Sequence, residues 1–175
     1  KLQAEPDVSS LFSLAAAAVV GGEAEVSNWQ SKSTQPDMAF LHAFQKMQIK
    51  FEMNSSSFRV AKHNIWYALH ADLNNSPDLF PVLAVLCALA KGESVLSGAA
   101  QLKVKESDRI AKTKELLNLC GYSCEELPDG LKIQGESSKQ NKDKEKSFDP
   151  DNDHRMAMAA ALLKLKGFNI KILHP

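Results

Sequence analysis

No apolar run in this sequence approaches the roughly 20 residues that a bilayer-spanning helix needs. Leu14 to Val20 comes nearest, and it reads as a short buried helix. No secretory leader pattern is visible. Net charge is absent too: 21 Lys and Arg face 21 Asp and Glu. That balance gives no electrostatic case for a nucleic-acid or membrane partner. Cysteine is scarce. Cys87, Cys120 and Cys124 are an odd number in 175 residues, which points to reduced thiols and a cytoplasmic compartment. Cys120 and Cys124 have no further ligands at zinc-site spacing, so no metal or cofactor is expected, and the thiols read as small hydrophobes. What remains is ordinary for a globular domain with a real core: 44% hydrophobic and 24% charged residues. The chain begins at Lys1 and ends at Pro175 just after a strand-like run, which reads as a chain cut at both ends.

The pattern of elements repeats. Capping types at Asp7 to Ser10 precede an Ala-rich helix, Leu11 to Val20, stopped at Gly21-Gly22. Glu23 to Asn28 reads as a strand. Pro36-Asp37 opens a second helix with Met38, Leu41, Phe44 and Met47 on one face. Ile49, Phe51 and Met53 alternate as a strand, and Phe58 to Val60 returns after a turn. Pro77-Asp78 then opens another helix, Leu79 to Ala90, followed by a strand at Ser94 to Ser97, a helix through Leu119 capped by Gly121, and a hairpin turning at Pro128-Asp129-Gly130. Gly22-Glu23 and Gly92-Glu93 lie seventy residues apart, and Gly167 marks a third copy. A fixed period of this size is a fold signal. With a strand ahead of its first helix, at Arg59–Ala61 or Ala68–Asp72 for the second copy, each unit is βαβαββ. The expected repeats are 7–72, 73–149 and a truncated 150–175. Glu136 to Ser147, polar and highly charged, reads as a surface loop. Trp29 and Trp66 read as partly buried anchors.

Chemistry concentrates at helix starts. In Leu102 to Arg109 five of eight residues are charged, with both signs present. The stretch follows a strand and precedes a helix, where free N–H groups and the macrodipole favour anions. Lys105 and Arg109 there do little for helix stability and much for a bound carboxylate or phosphate. Asp151 to Met158 (DNDHRMAM) again puts His and Arg at the start of an Ala-rich helix, and Ser76 to Pro81 (SPDLFP) puts Asp78 at another. If the repeats surround a pseudo-axis, these starts emerge on one face. Capping is the competing explanation for Ser9, Ser10 and Asp78; it suffices for the two serines.

In this order, the strings VKESDR, DHRMAM and SPDLFP resemble the 5-enolpyruvylshikimate-3-phosphate synthase family over nearly the whole chain. The resemblance implies an α/β (α+β) fold in which βαβαββ units pack as an alpha-beta prism with helices inside, two complete units plus part of a third. It also implies that residues 1–175 are one domain, most of the C-terminal half of a two-domain enolpyruvyl transferase. The implied activity is transfer of the enolpyruvyl group of phosphoenolpyruvate to shikimate 3-phosphate, as in the shikimate pathway to chorismate and aromatic amino acids.

Site roles follow from the same resemblance. Asp78 would bind the attacking hydroxyl of shikimate 3-phosphate, and Lys105 would steady charge near it. Glu106 would move the proton at the enolpyruvyl methylene. Arg109 and Arg155 would clamp the phosphoenolpyruvate carboxylate and phosphate, and His154 would hydrogen-bond near the reacting centre. Gln101 would touch the shikimate ring. Glyphosate would compete at the phosphoenolpyruvate site. Gln48 stands where the family has glycine, so a non-glycine residue must adopt or avoid a left-handed helix end. The family's other domain supplies the remaining phosphate-binding residues, and none of its motifs is here. The fragment alone is therefore expected to be inactive. The alternatives are a UDP-N-acetylglucosamine enolpyruvyl transferase, whose equivalent stretches differ, and a non-catalytic binding or scaffold domain that keeps the fold.

Overall fold

The computed structural model describes residues 5–136 and 142–174. Three helices form its centre: α1 (Val8–Gly21), α3 (Phe80–Ala88) and α5 (His154–Leu165). All nine residues of α3 are buried, which is why its sequence is apolar on every side rather than along one stripe. Alanines on α1 and α5 let these helices approach closely. Two further helices lie outside this trio, α2 (Ala39–Lys46) and α4 (Arg109–Leu119).

Among the described residues nine strands wrap the helices. They are β1 (Glu23–Val26), β2 (Phe51–Met53), β3 (Phe58–Ala61), β4 (His70–Asp72), β5 (Glu93–Ser97), β6 (Ser123–Leu127), β7 (Gly130–Gln134), β8 (Lys146–Phe148) and β9 (Ile170–Ile172). The first sheet runs β1-β3-β2, all antiparallel. The second runs β4-β5-β7-β6, with β4 parallel to β5 and the rest antiparallel. The third pairs β8 with β9 in parallel. The repeat is explicit in these orders: β1-β3-β2 matches β5-β7-β6, and β8-β9 matches β4-β5. The second sheet with α3 and α4 is a full βαβαββ unit.

Of the two candidate strands for opening the second unit, His70–Asp72 is the one that pairs with β5; Arg59–Ala61 belongs to β3. Each opening strand thus joins the sheet of the unit that follows it, β4 with β5 and β8 with β9. The loop expected over Glu136 to Ser147 needs correction at its end, because Lys146 and Ser147 form β8 with Phe148. Lys146 is buried with its ammonium 5.9 Å from the Phe168 ring centre. Residues 137–141 of that stretch lie outside the described residues. The tryptophans are more buried than expected: Trp29 packs among Phe40 and Phe58, and Trp66 donates its indole N–H to the Leu86 carbonyl at 2.8 Å. Cys87 and Cys120 are buried and Cys124 half-buried, all three reduced. Burial pushes the Cys87 thiol up to about 12. Among the described residues no helix is long and apolar enough to cross a membrane.

Candidate active site

The starts of α1, α3 and α5 converge on one face of the domain, and each is built differently. Asp7 caps α1: its carboxylate accepts the backbone N–H groups of Ser9 and Ser10 and both serine hydroxyls. The serines are therefore donors to the cap rather than the cap itself. Asp78 is in the middle of a 3-10 turn, Pro77–Leu79, ahead of α3, and makes no capping bond. Its carboxylate is left for other partners. Asp153 caps α5 by accepting the N–H of Arg155 at 3.0 Å.

Arg109, the first residue of α4, ties these starts together. It is 1% exposed. Its Nε donates to Asp153 Oδ2 at 2.7 Å and its Nη1 to Asp78 Oδ1 at 2.8 Å. Its Nη2 donates to Glu106 Oε2 at 2.7 Å and to Asp153 Oδ1 at 3.3 Å. The planar fork is what lets one cation satisfy three carboxylates. Asp78 passes the network on, because its Oδ2 accepts Arg155 Nη2 at 2.9 Å. Ser107 completes it by donating its hydroxyl to Asp153 at 3.1 Å. Burial works against charge on both Asp153 and Arg109, yet their mutual hydrogen bonds and charges win. The Asp153 carboxyl lies below the usual aspartate range and the Arg109 guanidinium above its ordinary value.

Four of the residues singled out in the sequence thus meet directly: Asp78, Glu106, Arg109 and Arg155. Lys105 is exposed beside Glu106, on extended backbone ahead of the α4 cap. His154 is exposed at the first position of α5. Neither makes a hydrogen bond among the described residues. Gln101 is half-buried and donates to the Asn74 carbonyl at 3.1 Å. Two carboxyls that matter escaped the sequence reading. One is Asp153, a buried anchor that looked like part of a charged string; its place directly before an Ala-rich helix was the available signal. The other is Asp37, in the Pro36–Met38 turn ahead of α2. Pro36-Asp37 reads in the sequence only as a helix start, whereas Pro77-Asp78 also reads as part of a site.

The arrangement joins a buried, charge-closed cage to an Arg155 that gives one Nη2 bond to Asp78. Glu106, paired with Arg109 Nη2, keeps 54% of its side chain exposed. Such a surface suits an anion that reacts through proton transfer.

Fold and site define an enolpyruvyl-transferase-like prism, and comparison with known proteins agrees. The profile of the family described as EPSP synthase (3-phosphoshikimate 1-carboxyvinyltransferase) matches residues 1–175, and the chain belongs to that family. A 3-phosphoshikimate 1-carboxyvinyltransferase of Syntrophobacter fumaroxidans is 37% identical over 169 residues, covering 96% of this chain and 39% of the relative. The Pyrococcus furiosus protein of the same description is 37% identical over 165 residues, 94% of this chain and 39% of the relative. The chain therefore spans about two fifths of the length of the curated relatives it matches. Two solved structures share the fold. EPSP synthase from Acinetobacter baumannii has a TM-score of 0.77 and 22% identity, over 99% of this chain and 42% of that one. The enolpyruvyl transferase NikO from Streptomyces tendae has a TM-score of 0.75 and 14% identity, over 98% of this chain and 38% of that one.

Proposed function

We propose that this domain forms one wall of a site that transfers the enolpyruvyl group of phosphoenolpyruvate to shikimate 3-phosphate. The products are 5-enolpyruvylshikimate 3-phosphate and phosphate, made in the cytoplasm. The observation that carries this reading is the Asp78 carboxylate held between Arg109 and Arg155, two arginines from different repeats. A carboxylate so held is fixed in place to accept a substrate hydroxyl. Arg155 offers the two-point contact that a carboxylate or phosphate needs. Arg109 is already engaged by three carboxylates, so it can take a ligand oxygen only if one of them yields. Glu106, with 54% of its side chain exposed, is the one placed to do so. Release from Arg109 would leave Glu106 free to take up a solvent proton and pass it to the methylene carbon as the hydroxyl adds and gives its own proton to Asp78, and then to take one back from the methyl carbon as phosphate leaves. Lys105 and His154, both exposed on this face, would close on the bound anion, and Gln101 would orient the shikimate ring.

A second domain would complete the site across a cleft, positioning both substrates and excluding water. Glyphosate would compete for the Arg155 side of the site. Phosphate release with both substrates tests the reading in the whole two-domain enzyme. Glu106→Gln is expected to cut turnover about a hundred-fold or more with substrate binding nearly unchanged. Arg155→Lys is expected to raise the KM for phosphoenolpyruvate. Undiminished turnover in Glu106→Gln would remove Glu106 from the mechanism.

A further inference from the structure

Asp37 has no task in the scheme above, and it is the acid at this face to which nothing is donated. Its turn is pinned from both sides. Gln35 Oε1 accepts the Val8 N–H at 3.0 Å, and Gln35 Nε2 donates to the Pro6 carbonyl at 2.9 Å. On the other side Ser76 Oγ donates to the Pro36 carbonyl at 2.7 Å. Asp37 is thereby held between the starts of α1 and α3. The charged groups facing it are Asp78 from the turn before α3, Arg155 from α5 and Asp7 from the cap of α1. Arg155 gives its bond to Asp78 rather than to Asp37. Burial first, and the charge of Asp78 second, push the Asp37 carboxyl up to about 6, with Arg155 working against both.

The charge pattern of the face makes this acid useful. Asp78, Glu106 and Asp153 pair with Arg109 or Arg155, Asp37 faces Arg155, and Asp7 faces Asp37. Asp7 has its serines, Asp78 both arginines, Glu106 Arg109, and Asp153 Arg109 with Ser107. Among the described residues no hydrogen bond reaches the Asp37 carboxyl; only its backbone carbonyl accepts one, from the Ala39 N–H. A ligand anion docking on Arg155 would divert the one cation that favours a charged Asp37 and add a like charge beside it. The other four carboxylates already accept donors, so Asp37 is the group that responds.

We propose that Asp37 is a positioning residue of the anion site, taking up a solvent proton as an anion docks on Arg155, so that an acid-rich face can accept a negatively charged ligand. The proposal rests on the reading of Arg155 as an anion-binding group. Carbon-13 NMR of the Asp37 carboxyl tests it on the 175-residue chain. The titration is run from pH 4 to 8 in sodium chloride and in sodium sulfate of equal ionic strength, since sulfate remains a dianion throughout. The expected result is a midpoint above the ordinary aspartate range in chloride and a further upward shift in sulfate. In Arg155→Gln the midpoint should rise in chloride and no longer respond to sulfate. An ordinary aspartate midpoint, a midpoint indifferent to sulfate in the wild type, or a sulfate shift that survives Arg155→Gln would each overturn the proposal. A sulfate shift alongside failed phosphate release would instead sink the enolpyruvyl reading and leave the proton coupling standing.

Discussion

Helices α2 and α4 hold equivalent places in successive repeats, yet their two ends are solved in different ways. Helix α4 begins on Arg109, whose guanidinium closes a cage of three carboxylates between α3 and α5. It ends on Gly121, which takes φ 83° while Tyr122 N–H reaches back to the Leu117 carbonyl. Helix α2 begins behind Asp37 with no cation of its own, and secures its start with aromatic packing: Phe40 and Phe44 lie against Phe12, with Trp29 and Phe58 beyond. It ends on Gln48 at φ 60°, with Ile49 N–H reaching the Phe44 carbonyl in the same pattern. One fold position thus tolerates an ionic or an apolar seam. The ionic seam is where chemistry can be placed, because its charges are already oriented.

The largest effect should come from breaking the ionic seam. Arg109→Met leaves Asp153, 0% exposed, without its cation, and should cost about 3–5 kcal/mol in urea denaturation, since a lone buried charge is far worse than none. Asp37→Asn at the other seam should cost nothing by the same measurement. A smaller loss, about 1 kcal/mol, is expected for Ser107→Ala, which removes one of the hydrogen bonds to Asp153.

Acid and base should affect the two seams with opposite sign. The lowered Asp153 acid contributes stability above the unfolded aspartate pKa, and that contribution is lost as pH falls through its folded value. The raised Asp37 acid favours folding when protonated, and its contribution is lost as pH rises through about 6. Melting temperature against pH should therefore fall less between pH 5 and 7 in Asp37→Asn than in the wild type. The smallest change tests the other helix end. Gln48→Gly should stabilise by about 0.5–1 kcal/mol, because glycine adopts the left-handed conformation without a Cβ clash and loses part of that gain to backbone entropy. Gly121→Ala should destabilise for the same reason.

Much of this was legible in the sequence, because it rests on local signals. The Ala-rich helices, the Pro-Asp starts and the hairpin at Pro128-Asp129-Gly130 are all short-range, and the seventy-residue period is their recurrence. The site was legible as far as charge clustered at helix starts and the family resemblance reached, which covered Asp78, Glu106, Arg109 and Arg155. What the strings could not show was who pairs with whom. The pairing of Arg109 with Asp153, forty-four positions away, is a tertiary fact, and it makes Arg109 an organiser of the carboxylates. Strand β8 was hidden for a related reason. Lys146 looks like loop until the Phe168 ring is brought beneath it. Asp37 was passed over because Pro-Asp reads equally well as a plain helix start.

In the proposed reading this domain carries the proton-transfer and anion-binding half of a divided enolpyruvyl transfer site. Phosphate release from phosphoenolpyruvate and shikimate 3-phosphate, measured side by side for the 175-residue chain and for the whole two-domain enzyme, tests it most directly. The account predicts turnover by the whole enzyme and none by the chain alone, since half the site forfeits most of the roughly 7–11 kcal/mol that positioning can supply. Robust turnover by the chain alone would contradict it.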